Sequence, residues 1–192
     1  MNGFDDIIDR LDATDDKLRL VLTKALRTYT NQELFSFVQD SNPVLRTAAA
    51  RELHIRGGKE TFNVAAALAE HPRYEYRATA AFILSQLGTP HCPYASQSFD
   101  ILKRLLHDDY YEVRSQAIYA VGWLSNLGRE PRSDVLDIVL DCSIDVEPKV
   151  RSAVASALLS IRTDEARAVL RRLQSDPCAD VREEAAYSLE DD

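Results

Sequence analysis

Residues 145–155 read Asp-Val-Glu-Pro-Lys-Val-Arg-Ser-Ala-Val-Ala, and similar stretches, each centred on an arginine, occur five times in the chain. An apolar residue or tyrosine precedes each arginine, a small apolar residue follows three positions later, and an aliphatic residue follows seven positions later. The arginines are separated by 31, 37, 37 and 31 residues and are Arg46, Arg77, Arg114, Arg151 and Arg182. A near-constant period in the range of about 20 to 50 residues predicts a stack of similar structural units.

The apolar positions after each arginine have helical spacing. In the third stretch, Ala117 and Val121 lie three and seven residues beyond Arg114, and residues three, four and seven apart line up along one side of a helix. The corresponding pairs in the other stretches are Ala49 and Leu53, Ala80 and Leu84, Val154 and Leu158, and Ala185 and Leu189. Small residues allow neighbouring helices to approach closely, so each stretch predicts a helix with a packing face.

A second apolar-periodic segment precedes each of these helices, so every unit is predicted to be a helical hairpin. The preceding helices are expected at about residues 31–39, 60–70, 96–107, 132–142 and 163–175. Aspartates that can cap a helix, and prolines suited to its first turn, mark the turns of the hairpins. These residues are Asp40, Asp108, Asp145 and Asp176, with Pro43, Pro72, Pro148 and Pro177. The second unit departs from the pattern, because His71 stands at the aspartate position.

The pattern Asp-x-x-x-x-Val-Arg-x-x-Ala resembles the HEAT repeat family, and in particular the short HEAT-like units of bacterial proteins. The resemblance covers about residues 31–190 and implies an all-α, right-handed α-solenoid of about five helical hairpins. We expect a single domain over residues 1–192, in which residues 1–30 form N-terminal capping helices at about 4–12 and 15–28. In that family the repeated aspartate and arginine form a ladder between hairpins, which implies a structural role for Asp40, Arg46, Arg77, Asp108, Arg114, Asp145, Arg151, Asp176 and Arg182.

The chain carries 23 basic and 31 acidic residues, a net charge of −8, and the excess of acid lies at its ends. Residues 1–16 have a net charge of −5, and residues 176–192 have a net charge of −6. This balance favours basic partners at long range and disfavours nucleic acid. No segment approaches the roughly 20 apolar residues of a membrane span, and the N-terminus lacks a secretory signal pattern. We therefore expect a cytoplasmic protein without membrane contact.

Three cysteines, Cys92, Cys142 and Cys178, lie far apart and form no C-x-x-C pair. We expect free thiols and no metal, because structural zinc sites need paired ligands at short spacing. His91 lies beside Cys92, but the surrounding Gly-Thr-Pro-His-Cys-Pro-Tyr segment is better explained as a rigid connection between helices.

The second helices of such repeat stacks usually line the inner surface, which makes their outward positions candidates for partner binding. Positions five beyond the arginines hold Arg51, Phe82, Tyr119, Ser156 and Tyr187, and positions nine beyond hold Ile55, Gln86, Trp123 and Ser160. Aromatic residues bury a large area, and Tyr and Trp keep a polar atom for hydrogen bonding. We predict a protein-binding surface that consists of Arg51, Phe82, Tyr119, Trp123 and Tyr187. The alternative is that some of these rings pack between helices.

The sequence contains no recognisable catalytic motif, since it lacks a glycine-rich phosphate loop, H-E-x-x-H, G-x-S-x-G and paired zinc-binding cysteines. The HEAT-like alkylpurine DNA glycosylases and phycobilin lyases are enzymes of related fold, but neither signature is matched residue by residue. We therefore predict a non-enzymatic protein-binding module without cofactor or metal. The most specific hypothesis is an acidic immunity protein that neutralises a cognate bacterial toxin, such as a basic nuclease. The alternatives are an intracellular scaffold or adaptor and, from another class, a HEAT-like DNA glycosylase or phycobilin lyase.

Overall fold

The computed structural model describes residues 21–22, 24–129, 131 and 133–190 of the chain. Within these residues the regular structure is helical throughout, with one 3-10 helix at Cys142–Ile144 and no strand, so the all-α prediction is confirmed. Residues 21–22 and 24–26 are also helical, whereas the predicted helix at about 4–12 lies outside the described residues. The α-helices are α1 (Asn31–Phe37), α2 (Pro43–Arg56), α3 (Lys59–Leu68), α4 (Tyr74–Ser85), α5 (Ala95–Leu105), α6 (Tyr111–Asn126), α7 (Ser133–Asp141), α8 (Pro148–Leu158), α9 (Asp164–Leu173) and α10 (Ala179–Glu190).

The chain divides into two compact units, Met1–Leu53 and His54–Asp192. In the first unit, α1 begins with a capping box, in which the Thr30 side chain accepts a hydrogen bond from the Glu33 backbone N–H and the Glu33 side chain accepts one from the Thr30 N–H. Such reciprocal bonds satisfy two backbone donors at the start of a helix. Leu34 and Leu53 are fully buried in this unit.

The second unit consists of four helical hairpins, α3–α4, α5–α6, α7–α8 and α9–α10. The second helices pack on one another in the order α4, α6, α8, α10, and these contacts are more extensive than those between successive first helices. The residues three and seven beyond each arginine are buried in α4, α6 and α8, and they are Ala80, Leu84, Ala117, Val121, Val154 and Leu158. The second helices therefore share one continuous apolar layer, which is what stacked repeats require.

Arginine and aspartate side chains connect the turns of successive hairpins in the second unit. Arg114 donates from Nε to Asp145 Oδ2 at 2.8 Å and from Nη2 to Asp145 Oδ1 at 2.9 Å. Its Nη1 donates to the Asp108 carbonyl of its own turn at 2.8 Å. The same bidentate pairs join Arg77 to Asp108 and Arg151 to Asp176. One guanidinium thus fixes its own turn and the carboxylate of the next hairpin at once.

Each ladder aspartate also closes its own turn. Asp145 Oδ1 accepts from the Glu147 N–H at 2.9 Å, and Asp40, Asp108 and Asp176 accept from the N–H two residues later in the same way. In the second repeat, His71 Nδ1 takes this role and accepts from the Arg73 N–H at 3.0 Å. An unprotonated imidazole nitrogen is a hydrogen-bond acceptor. The departure at His71 therefore preserves the local turn while it removes a carboxylate from the ladder.

The aspartates of the ladder make the stability of the fold depend on pH in the acidic range. Burial raises the pKa of Asp108 and Asp145, but the hydrogen bonds from Arg77 and Arg114, a backbone N–H bond and the arginine charges together outweigh it, so both pKa values lie below the ordinary one. A carboxyl group whose pKa is lower in the folded state stabilises the protein above its unfolded pKa of about 3.9, and this contribution is lost as the pH falls through the folded pKa. We expect the free energy of unfolding to decrease below about pH 4.

Urea unfolding of the wild type and of Asp145→Asn across this pH range measures the effect. The variant is expected to be less stable at neutral pH and to show a flatter dependence below about pH 4, because one shifted carboxyl group has been removed. Parallel pH curves for the two proteins would contradict this assignment.

A candidate protein-binding groove

The surface of the second unit between α6 and α8 contains a groove lined by the predicted aromatic residues. Tyr119 and Trp123 are 37% and 48% exposed. They lie four residues apart on α6, so their side chains share one face of the helix. The cavity has a volume of about 240 Å³. We call it the central groove; its lining residues are Tyr119, Gly122, Trp123, Asn126, Ser156, Ala157, Leu159 and Ser160.

A close contact between two helices forms the base of the central groove. A Cβ atom at Gly122 would lie 2.7 Å from the Ala157 Cα and 2.9 Å from the Ala157 Cβ. Distances this short show that α6 and α8 approach each other where Gly122 has no side chain. The repeat pattern does not single out Gly122, although a glycine within a helix costs about 1 kcal/mol relative to alanine and therefore indicates a packing requirement.

A small hydroxyl residue on α8 lies between exposed tyrosines on the two neighbouring helices. Helix α8 packs against both α6 and α10. Ser156 occupies the position that Tyr119 has on α6 and Tyr187 has on α10, five residues beyond the ladder arginine. Ser160 lies four residues further on, in the turn that follows α8, and also lines the central groove. The side chain at this position of α8 is therefore smaller than the aromatic side chains at the equivalent positions of α6 and α10.

Acidic residues lie on the helix face that carries the central groove. The pKa of Tyr119 is raised, first by burial and then by the negative charge of Glu184 on α10. Glu183 and Glu184 lie four and three residues before Tyr187, so they share its face of α10. On the same basis, the positions seven residues before Tyr119, Ser156 and Tyr187 hold Glu112, Lys149 and Asp180. Four acids and one base thus occupy this face of α6, α8 and α10.

The other predicted binding residues occupy different surroundings. Tyr187 is 59% exposed on α10. Phe82 is half-buried, and its ring lies edge-on to His54 with centroids 5.3 Å apart. Arg51 is exposed and belongs to the first unit. The structure therefore brings Tyr119 and Trp123 together in one cavity. The other three predicted residues, Phe82, Arg51 and Tyr187, do not line that cavity.

A second cavity of about 460 Å³ lies beside the ladder, where His107, Asp109, Asp141 and Cys142 are among its lining residues. Burial, and secondarily Asp145, raises the pKa of the Cys142 thiol to about 11. This thiol is therefore protonated at neutral pH and is a poor nucleophile. Among the described residues, no three His, Cys, Asp or Glu side chains are arranged to hold a metal ion. The same residues contain no helix with the length and apolarity of a membrane span.

Comparison with known proteins agrees with this architecture. A family model described as HEAT repeats matches residues 63–145. The chain is 29% identical to Protein YibA of Escherichia coli K12 over 161 residues, which cover 83% of this chain and 57% of YibA. The crystal structure of E. coli YibA superposes with a TM-score of 0.53 at 21% identity, over 94% of this chain and 76% of that one. A designed armadillo repeat protein in complex with the peptide (KR)4 superposes with a TM-score of 0.60 at 15% identity, over 97% and 98% of the two chains. These structural similarities concern the fold.

Proposed function

We propose that this chain, which matches a HEAT-repeat family model over residues 63–145, is a non-catalytic module that binds a protein partner through the central groove. The observation that carries this proposal is the half-exposed pair Tyr119 and Trp123, which share a cavity with Ser156 and Ser160. Large aromatic residues at the centre of an interface commonly supply most of its binding energy. A tryptophan that is about half exposed beside a recess is the arrangement such an interface needs.

The size of the central groove favours a side chain of a protein over a small molecule. Its volume of about 240 Å³ is below the roughly 300 to 1,000 Å³ of typical small-molecule sites. The comparison with the armadillo design supports a peptide-like occupant, because that stack of helical repeats is in complex with a peptide. None of the eight residues that line the central groove is basic, which is unfavourable for the DNA phosphates that a glycosylase must hold.

The double substitution Tyr119→Ser/Trp123→Ser tests the proposal. We expect it to abolish capture of a specific partner from cell extract and, with the purified partner, to weaken binding by about 2 kcal/mol or more, roughly 30-fold. Isothermal titration calorimetry measures the loss. Val146→Ser is the control, because Val146 is 86% exposed and does not line the central groove.

The unfolding midpoint of each variant shows whether the fold is intact. A folded double variant that binds the partner as tightly as the wild type would refute the proposed binding site. Equal weakening by Val146→Ser would show that the effect is not specific to the central groove.

The hypothesis of an immunity protein for a basic toxin remains a prediction. The acidic face around the central groove supports a basic partner, but neither YibA nor the structural neighbours named above are described as toxin inhibitors. The identity of the captured partner separates the alternatives. A partner that is toxic when expressed alone and harmless when co-expressed with this protein would support immunity, whereas a non-toxic partner would support a scaffold or adaptor.

A further inference from the structure

The central groove combines an aromatic ring with hydroxyl groups that are available as hydrogen-bond acceptors. The hydroxyls of Ser156 and Ser160 form no hydrogen bond to another described residue. A hydroxyl oxygen accepts hydrogen bonds from an ammonium or guanidinium group. The indole of Trp123 is the aromatic ring with the strongest attraction for a cation on its face. All three groups line the same cavity.

The charges around the central groove also favour a cation. Glu184 is close enough to Tyr119 for its charge to act on the phenol, and Glu183 precedes it on the same helix. The basic residue on this face of α8, Lys149, lies with its Nζ 5.7 Å from the centroid of the Tyr111 ring at the start of α6. That position is three helical turns from Trp123 along α6, so Lys149, like Glu112 and Asp180 at the same level of the neighbouring helices, lies away from the central groove.

We infer that the central groove binds a lysine or arginine side chain of an extended, cationic segment of the partner protein. The cationic group of that side chain lies over the ring of Trp123, and the next residues of the partner segment lie along Glu183 and Glu184. This inference rests on the proposed function and adds the chemical class of the bound segment. An acidic segment or a nucleic-acid backbone would meet like charge on the same face and would be repelled.

Trp123 provides a direct readout, because it is the only tryptophan in the chain. The probe is an acetylated octapeptide of alternating arginine and serine, and the matched control peptide has glutamate in place of arginine. We expect the arginine peptide to change the emission of Trp123 saturably and its affinity to fall as salt concentration rises. The glutamate peptide is expected to leave the emission unchanged.

Charge variants locate the binding site. Glu183→Gln/Glu184→Gln is expected to weaken binding of the arginine peptide by about two- to fivefold, as for exposed charge pairs. Glu60→Gln/Glu165→Gln changes the net charge equally at exposed positions on the first helices α3 and α9. Its affinity for the arginine peptide is expected to equal that of the wild type.

Three results would overturn the inference: no emission change with the arginine peptide, equal binding of the glutamate peptide, or equal effects of the two charge variants. If the arginine peptide fails while capture of the protein partner still depends on Tyr119 and Trp123, the inference is wrong and the proposed function stands. If both binding experiments fail, the central groove is not the binding site and both proposals are wrong.

Discussion

Replacement of Arg151 by alanine is expected to lower the free energy of unfolding by about 3 to 5 kcal/mol, as measured for broken buried ion pairs. Arg151 donates to both carboxylate oxygens of Asp176, at 2.7 and 2.8 Å, and to the Asp145 carbonyl at 2.7 Å. The two side chains of this pair are only 11% and 6% exposed. Alanine would leave the Asp176 carboxylate buried beside α8 without its counter-ion. Urea unfolding followed by far-UV circular dichroism measures the resulting loss in the free energy of unfolding.

Arg182 is the matched control for this substitution. Its Nη1 donates to the carbonyls of Asp176 and Pro177 at 2.8 and 3.0 Å, as in the other turns. The Arg182 side chain is exposed, and no carboxylate among the described residues accepts a hydrogen bond from its guanidinium group. Arg182→Ala is therefore expected to cost only about 1 kcal/mol, the value of a hydrogen bond. Equal losses at Arg151 and Arg182 would show that the carboxylate pairs do not determine the stability of the ladder.

The arrangement of the second helices was predictable because each repeat must satisfy the same contacts. An arginine that reaches two turns fixes the spacing of the repeats, and the positions three and seven beyond it must be apolar where helices pack on both sides. His71 shows the limit of this reasoning. The sequence marks it as a departure, but only the structure shows that its Nδ1 accepts the hydrogen bond that an aspartate accepts elsewhere.

The candidate site was predictable in part. Counting along α6 places Tyr119 and Trp123 away from the packing face, and both are exposed. The same counting places Phe82 on that surface, yet its ring contacts His54, because helical position alone does not reveal which neighbouring side chain covers a ring. The cavity itself depends on the distance between α6 and α8 at Gly122, and no pattern within one helix specifies a distance between two helices.

Gly122→Ala is expected to destabilise the protein by about 1 to 3 kcal/mol, although alanine is the better helix former by about 1 kcal/mol. The new Cβ would lie 2.7 Å from the Ala157 Cα. That atom belongs to the backbone, so a change of side-chain rotamer cannot relieve the contact and the two helices must separate. The emission of Trp123, which directly follows Gly122, is expected to change along with the unfolding midpoint.

The double variant Gly122→Ala/Ala157→Gly distinguishes a clash with the backbone from one with the side chain. It removes the Ala157 Cβ, which would lie 2.9 Å from the new Cβ, but leaves the closer contact with the Ala157 Cα in place. The rescue of stability is therefore expected to be incomplete, also because the second glycine adds its own cost of about 1 kcal/mol in a helix. If Gly122→Ala instead raised the unfolding midpoint, its helix propensity would have prevailed, and α6 and α8 could not approach as closely as the central groove requires.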